Sequence, residues 1–355
     1  MYIHGKKIFL DTENSITIYQ KLIKTFDDVS ILESVIGGEN KGRYSIILFN
    51  VYENIEIYQN FVISNSKKIK IKSPVSYLKT LQKNQNFTDL YKNKIPIPFI
   101  IGNLCFDLAK FSLPKLKYDI SKNEINIPLA HFIKPKNLII IDNVLNETHL
   151  IEFSLSKIKS KTKLNKIENI LLSPVKKNRN SLSNKTSKFK SHMSKKSFFA
   201  KVNKLKKEIV NGEIFQAVLS QRFSAIYKID PFNFYRALRS INPSPYLVFL
   251  NLKKYQIICS SPETMINVKN NKVTLRPIAG TRRRGKNNEE DIRLKNDLLS
   301  DKKELAEHLM LVDLGRNDVG QISKKGTVKV TEKNIIEYYS HVMHIVSNVI
   351  GELKN

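Results

Sequence analysis

Tyr246-Leu247-Val248-Phe249-Leu250, Tyr255-Gln256-Ile257-Ile258-Cys259, Thr264-Met265-Ile266-Asn267-Val268 and Lys272-Val273-Thr274-Leu275 are short runs rich in β-branched and aromatic residues. The last two are separated by Lys269-Asn270-Asn271, a turn tight enough to fold one back on the other as antiparallel sheet. Phe215 to Phe223 is a further β-prone run ahead of them. Upstream, Phe198, Phe199, Val202, Leu205 and Ile209 recur at helical spacing, and Gly212 stands where a C-terminal cap belongs, which predicts a helix ending near Asn211. Downstream, Asp301-Lys302-Lys303-Glu304 reads as an N-cap with Glu three residues on, opening a helix that carries Leu305, Leu309 and Val312 on one face. The first half offers strands at Tyr44 to Val51, Ile55 to Ile63, Phe99 to Leu104 and Asn137 to Asp142. The class is α+β, large antiparallel sheets with helices outside. Three regions are expected: residues 1–155, a Lys/Ser/Asn-rich linker over 156–194, and a second domain over 195–355.

The chain has 355 residues, 41% hydrophobic and 26% charged, which excludes a disordered or fibrous protein and allows a full core without disulfides. Its apolar runs, such as Ile95 to Ile101, are too short to cross a bilayer. The first residues carry no signal-peptide stretch, and Cys105 and Cys259 are far apart, so a reduced, cytoplasmic protein is expected. The net charge of +28 would suit nucleic acid, but it is local. Between Lys157 and Lys207 stand 17 basic residues against Glu168 alone, mostly Lys, with few aromatics for bases to stack on. Neither nucleic acid nor membrane is expected as a partner.

Four segments ask for more than packing: Gly212-Glu213-Ile214-Phe215-Gln216, Pro277-Ile278-Ala279-Gly280-Thr281-Arg282, Ala306-Glu307-His308 running to Asp313-Leu314-Gly315-Arg316-Asn317-Asp318, and Ser340-His341-Val342-Met343-His344. In order and spacing they resemble the chorismate-utilising enzymes from about Ser197 to the last residue, and within them the anthranilate synthase component I branch. The resemblance implies that family's sandwich of large antiparallel sheets. It also implies conversion of chorismate and ammonia to anthranilate and pyruvate, the ammonia coming from glutamine through an amidotransferase subunit.

Related isochorismate and salicylate synthases carry Lys where Gln216 stands, and aminodeoxychorismate synthases carry Lys where Ala279 stands. A desolvated lysine is a base or nucleophile, whereas Gln and Ala are neither, so ammonia is left as the attacking group. By resemblance Gly280 and Thr281 bind chorismate, a dicarboxylate, with Arg282 to Arg284 lending positive potential. Glu307 matches a magnesium-binding glutamate, so Mg2+ is the expected cofactor. Glu263 matches a glutamate that faces the substrate ring and handles protons. His341 and His344 precede the β-branched run Ile345 to Ile350, and in a strand they would face opposite sides. Resemblance picks His344 as the acid assisting departure of the C4 hydroxyl; His341 is expected to pack or cap. Arg316-Asn317-Asp318 is read as bracing the loop after the helix.

Ile31-Leu32-Glu33-Ser34 resembles half of a tryptophan feedback site, completed by Asn242-Pro243-Ser244-Pro245-Tyr246-Leu247. Leu32, Glu33, Ser34, Pro245, Tyr246 and Leu247 are the expected contacts, L-tryptophan needing an apolar slot, a carboxylate for its ammonium and a donor for its carboxylate. The resembled family continues beyond the position of Asn355, so the expectation is a fold incomplete at its C-terminal end and a chain inactive alone. Two rivals stand beside this reading: an aminodeoxychorismate synthase component I, disfavoured by Ala279, and an inactive tryptophan-binding remnant of a decayed or split gene.

Overall fold

The computed structural model describes residues 1–34, 42–83, 87–113, 115–116, 125–158, 161–175, 187–339 and 341–354. Two compact units result, Met1–Val175 with Tyr235–Asn355, and Lys176–Phe234.

Among the described residues of the first unit, eleven strands form one sheet. Its spine is the antiparallel pair Tyr44–Ile57 and Ala130–Asp142, running from Tyr44 against Asp142 to Ile57 against Ala130 with one register shift between Val51 and Glu53. Glu147–Ser154 and Tyr2–Ile8 continue it on one side, and Ser30–Glu33, Tyr246–Asn251 and Gln256–Ser261 on the other. Consecutive strand residues point to opposite faces, so the burial of Leu138, Ile139, Ile140 and Ile141 alike means that both faces of the sheet are covered there. Leu48, Leu138, Ile140, Ile151 and Leu250 share one core cluster. The helix Ser15–Leu22 packs near the strands Ser30–Glu33 and Tyr44–Ile57 and against the helix Lys161–Leu172.

That second helix lies inside the stretch expected to be linker. Leu164, Ile167 and Leu171 recur at helical spacing and are buried, and the buried ammonium of Lys21 donates to the carbonyl of Leu171 at 2.6 Å and pairs with Glu13 at 2.5 Å. The expected strand Ile55 to Ile63 is the end of one strand, a turn, and the start of Phe61–Ser64.

The remaining sheet of this unit is antiparallel throughout, whereas in the long sheet Tyr2–Ile8 pairs in parallel with Thr88–Asp89. Val342–Glu352 pairs with Lys329–Tyr338, with Lys272–Leu275 and with Ile278–Arg283, and Asn267–Lys269 closes the far edge. Thr264 to Ile266, expected as strand, lie outside the ladder. The helices Asn288–Ser300 and Lys302–Ile322 pack on it. Asp301 caps the second of these, its carboxylate accepting from the N–H groups of Lys303 and Glu304. The buried face differs from the expected one: His308, Val312, Gly315 and Val319 point inward while Leu309 is half exposed.

In the unit Lys176–Phe234 the helix Lys195–Val210 starts on the Ser194 cap and ends ahead of Gly212, at φ +78°, a left-handed conformation that suits glycine. Phe215 to Arg222 form no strand; among the described residues of this unit a two-residue ladder joins Lys190–Ser191 to Phe223–Ser224.

The long sheet carries a buried histidine with a measurable consequence. His131 is fully buried, its Nε2–H donating to Asn54 Oδ1 at 2.8 Å and its Nδ1 accepting from the Tyr255 hydroxyl at 3.1 Å. Burial pushes its pKa down to about 4 from 6.5. The unfolded chain therefore binds a proton below pH 6.5 that the folded chain refuses until about pH 4, so stability is full above 6.5 and falls across that window. We expect His131 alone to account for about 2 kcal/mol, the full effect being blunted by solvent around the neighbouring Lys254. Urea midpoints at neutral and mildly acidic pH check this: a His131→Gln variant with an undiminished pH slope would assign the loss to other groups.

Candidate active site

The strand Ile278–Arg283 runs beside Val342–Glu352 with Ala279 opposite Ile345, then slips at Gly280 so that Thr281 faces His344. Gly280 makes the bulge at φ +63°, and a Cβ there would meet Leu298 Cδ1 and Ile345 Cδ1, each at 3.0 Å. The slip turns the Gly280 carbonyl onto His344 Nδ1, at 3.0 Å, with Thr281 Oγ1 at 3.1 Å from the same nitrogen. A carbonyl can only accept, so Nδ1 carries the hydrogen and Nε2 is the nitrogen left for chemistry. Ala279 is buried, at 9% exposure. His341 precedes the strand and is exposed, contrary to the packed or capping role expected of it; its carbonyl accepts from the Arg284 N–H at 3.1 Å. Ser340 lies outside the described residues.

The three consecutive arginines do not lend free charge to a substrate. Arg282 pairs with Asp297 at 2.6 Å and Asp301 at 2.9 Å, Arg283 with Glu290 at 2.5 Å, and Arg284 with Asp291 at 2.5 Å. All these acids belong to the helix Asn288–Ser300 or its cap-sharing neighbour, so the arginines pin the strand to the helices. The Arg284 guanidinium and the Gly285 N–H hold the Asp291 carboxyl below the usual carboxylate range. Arg316-Asn317-Asp318 sits within the helix, not after it, and Arg316 pairs with Asp313 at 3.1 Å on the exposed face, so it braces no loop.

Among the described residues a cleft of about 500 Å³ opens between the edge of the long sheet and the second sheet. Ser34, Pro245 and Tyr246 line it from one side, Arg276, Ile278, Glu337 and Tyr339 from the other. Leu32, Glu33 and Leu247 do not. Glu33 and Leu247 are opposite each other in the ladder and buried, and strand alternation turns them away from the side that Ser34 and Tyr246 present. The Glu33 carboxylate accepts instead from Ser15 Oγ at 2.5 Å, the Tyr235 hydroxyl at 2.5 Å and Arg239 Nε at 3.0 Å. The acid in the cleft is Glu337, which no local motif marked. It accepts from Arg276 at 2.5 Å and from the Tyr339 hydroxyl at 2.8 Å. Lys94 and Lys269 add ammonium groups to the lining.

The family model described as chorismate binding enzyme matches residues 34–355. The chain belongs to this family. Within it, the chain is similar to anthranilate synthase component 1 of Acetivibrio thermocellus, 38% identical over 98% of this chain and 73% of the relative. It is 36% identical to that of Aquifex aeolicus, over 98% of this chain and 73% of the relative. The crystal structure of anthranilate synthase component I from Streptococcus pneumoniae superposes with a TM-score of 0.76 at 35% identity, covering 90% of this chain and 71% of that one. The menaquinone-specific isochorismate synthase of Escherichia coli, at 11% identity and a TM-score of 0.63, shares the fold. The α+β architecture expected from sequence is thus the one this family has.

In this chorismate binding enzyme the other candidates are spread over both units. Glu307 is half-buried on the helix Lys302–Ile322, one turn beyond Glu304. Among the described residues no three His, Cys, Asp or Glu side chains converge on one point, so the chain's own donors form no closed cage. Glu307 offers a single carboxylate, a hard oxygen donor of the kind Mg2+ takes together with waters and substrate oxygens. Glu263 is exposed in the turn after Gln256–Ser261, its N–H donating to Ser261 Oγ at 3.3 Å. Gln216 belongs to the unit Lys176–Phe234, exposed and outside regular secondary structure. No helix among the described residues is long and apolar enough to cross a membrane.

Proposed function

We propose that the chain is the chorismate-converting component of an anthranilate synthase, a lyase that opens tryptophan biosynthesis. The observation that carries this is His344, its Nδ1 tied to the Gly280 carbonyl and met by the Thr281 hydroxyl, which leaves Nε2 for chemistry, on a strand whose neighbour Ile278–Arg283 offers Ala279 and no amine. Chorismate is aminated at C2 by ammonia as the C4 hydroxyl departs, and elimination of pyruvate then leaves anthranilate. Gly280 and Thr281 receive a substrate carboxylate, His344 protonates the departing hydroxyl, and Glu263 handles the ring proton. Gln216 and Ala279 add no competing nucleophile. Glu307 would hold Mg2+, which when bound neutralises a substrate carboxylate. A glutamine amidotransferase subunit supplies the ammonia. Chromatography of the products made from chorismate and ammonia by the chain supplemented with the C-terminal segment of a full-length relative tests the reading: anthranilate is expected, and 4-amino-4-deoxychorismate or isochorismate would overturn it.

The cleft suits L-tryptophan as feedback ligand. Pro245, Tyr246 and Ile278 offer apolar surface, Glu337 a carboxylate for the ammonium, and Lys94 or Lys269 a cation for the carboxylate. Titration calorimetry should show tryptophan binding and a raised melting temperature, both lost in Ser34→Phe, which fills the slot. Equal heat from phenylalanine, or none from tryptophan, would remove this site.

A further inference from the structure

Tyr339 is built into both the cleft and the surroundings of His344. It is 8% exposed, and each of its polar groups is engaged. Its N–H donates to the Val342 carbonyl at 2.8 Å, its carbonyl accepts from Arg284 Nη1 at 2.8 Å, and its hydroxyl donates to Glu337 at 2.8 Å. Arg284 is itself held by Asp291, so the corner between the strands Lys329–Tyr338 and Val342–Glu352 is tied to the helix Asn288–Ser300. From this corner the Tyr339 ring meets the His344 imidazole edge-on, with centroids 5.3 Å apart and planes at 67°. Burial and the Glu337 charge keep the phenol protonated well above its ordinary range, so the hydroxyl remains a donor.

Three groups therefore meet the imidazole: the Gly280 carbonyl and the Thr281 hydroxyl set its rotation through Nδ1, and the Tyr339 ring supports it from the side. The support from the Tyr339 ring ends in the cleft, because Glu337, which accepts from the Tyr339 hydroxyl, and Arg276, which holds Glu337, are cleft walls. We propose that Tyr339 is a positioning residue for His344 and that it makes the imidazole responsive to what fills the cleft. A zwitterionic amino acid whose ammonium engages Glu337 competes with the Tyr339 hydroxyl for that carboxylate, and the ring then leaves its place beside His344. The positioning half stands on the geometry alone; the response half rests on the tryptophan reading above.

Nuclear magnetic resonance of the full chain with 13Cε1-labelled histidine tests both halves. The His344 signal is identified by its absence in His344→Asn. Without ligand, Tyr339→Leu should displace the His344 signal while those of His131 and His149 stay in place, and Tyr339→Phe, which keeps the ring, should restore it. An unmoved His344 signal in Tyr339→Leu, or no restoration by Tyr339→Phe, overturns the positioning role. With L-tryptophan added, the parent His344 signal should shift, and the shift should fall by about half or more in Tyr339→Phe, whose ring has no hydroxyl link to Glu337. Calorimetry on the same samples reports occupancy. An equal shift in parent and Tyr339→Phe at equal occupancy overturns the response. Absence of binding to the parent overturns the tryptophan reading and the response together, and leaves the ligand-free arm to decide the positioning role.

Discussion

Replacing His344 with Asn, in the chain supplemented with the C-terminal segment of a full-length relative, is expected to lower anthranilate formation by about 10²- to 10⁴-fold, the usual worth of a positioned general acid. Asn is chosen because its amide nitrogen can take the place of Nδ1 and still donate to the Gly280 carbonyl, a bond now 3.0 Å long. The bulge at Gly280 and the contact with Thr281 then survive, and what is lost is Nε2, the atom that would carry the proton to the departing hydroxyl. A melting temperature close to the parent value, together with a fall in kcat larger than any rise in KM, would show that the interaction belongs to the transition state. His341→Asn, by contrast, should leave turnover unchanged, since that side chain is exposed and precedes the strand. Turnover within about tenfold of the parent in His344→Asn would move the acid to another residue.

The parts of the molecule that were legible beforehand are those whose cause is local. Asp301 announces its helix because a carboxylate cap satisfies N–H groups two and three residues away, and Gly212 ends another because its left-handed φ of +78° excludes most side chains. The Gly280-Thr281 and His344 segments were recognisable as motifs, and the ladder brings them together. What escaped depends on distant partners. Arg282 to Arg284 look like free positive charge until the acids of the following helix are placed against them. Leu164, Ile167 and Leu171 are a helix stripe diluted by lysines, so composition hid it. Phe215 to Phe223 are β-prone, yet a strand needs a second strand beside it, and this segment enters a ladder only at Phe223. Glu337 and Tyr339 carry no motif, and their importance comes from the cleft that they share with Ser34 and Tyr246.

Glu33 is the residue whose role changes most between sequence and structure, and its replacement should be felt in the fold. Its side chain is 2% exposed and accepts from Ser15, Tyr235 and Arg239, three residues from two helices that the one carboxylate links. In Glu33→Ala the fully buried Tyr235 hydroxyl loses its acceptor and the Arg239 guanidinium its counter-charge. Glu33 is buried, but the Arg239 side chain is 34% exposed and regains part of its hydration, so the loss is expected at about 2–3 kcal/mol, most of it from the buried Tyr235 hydroxyl left without its acceptor. Urea denaturation of the full chain should show a loss of that size, with Tyr235→Phe losing about 1–3 kcal/mol by a single unmade hydrogen bond. The double variant Glu33→Ala with Arg239→Ala should be less unstable than the sum of the singles, since the cation left stranded by the first change is removed by the second. A carboxylate that served a ligand instead would behave differently: Glu33→Ala would then cost under about 1 kcal/mol in the ligand-free chain and abolish tryptophan heat. The first outcome places Glu33 behind the cleft wall as the support of Ser34, and the second would return it to the cleft.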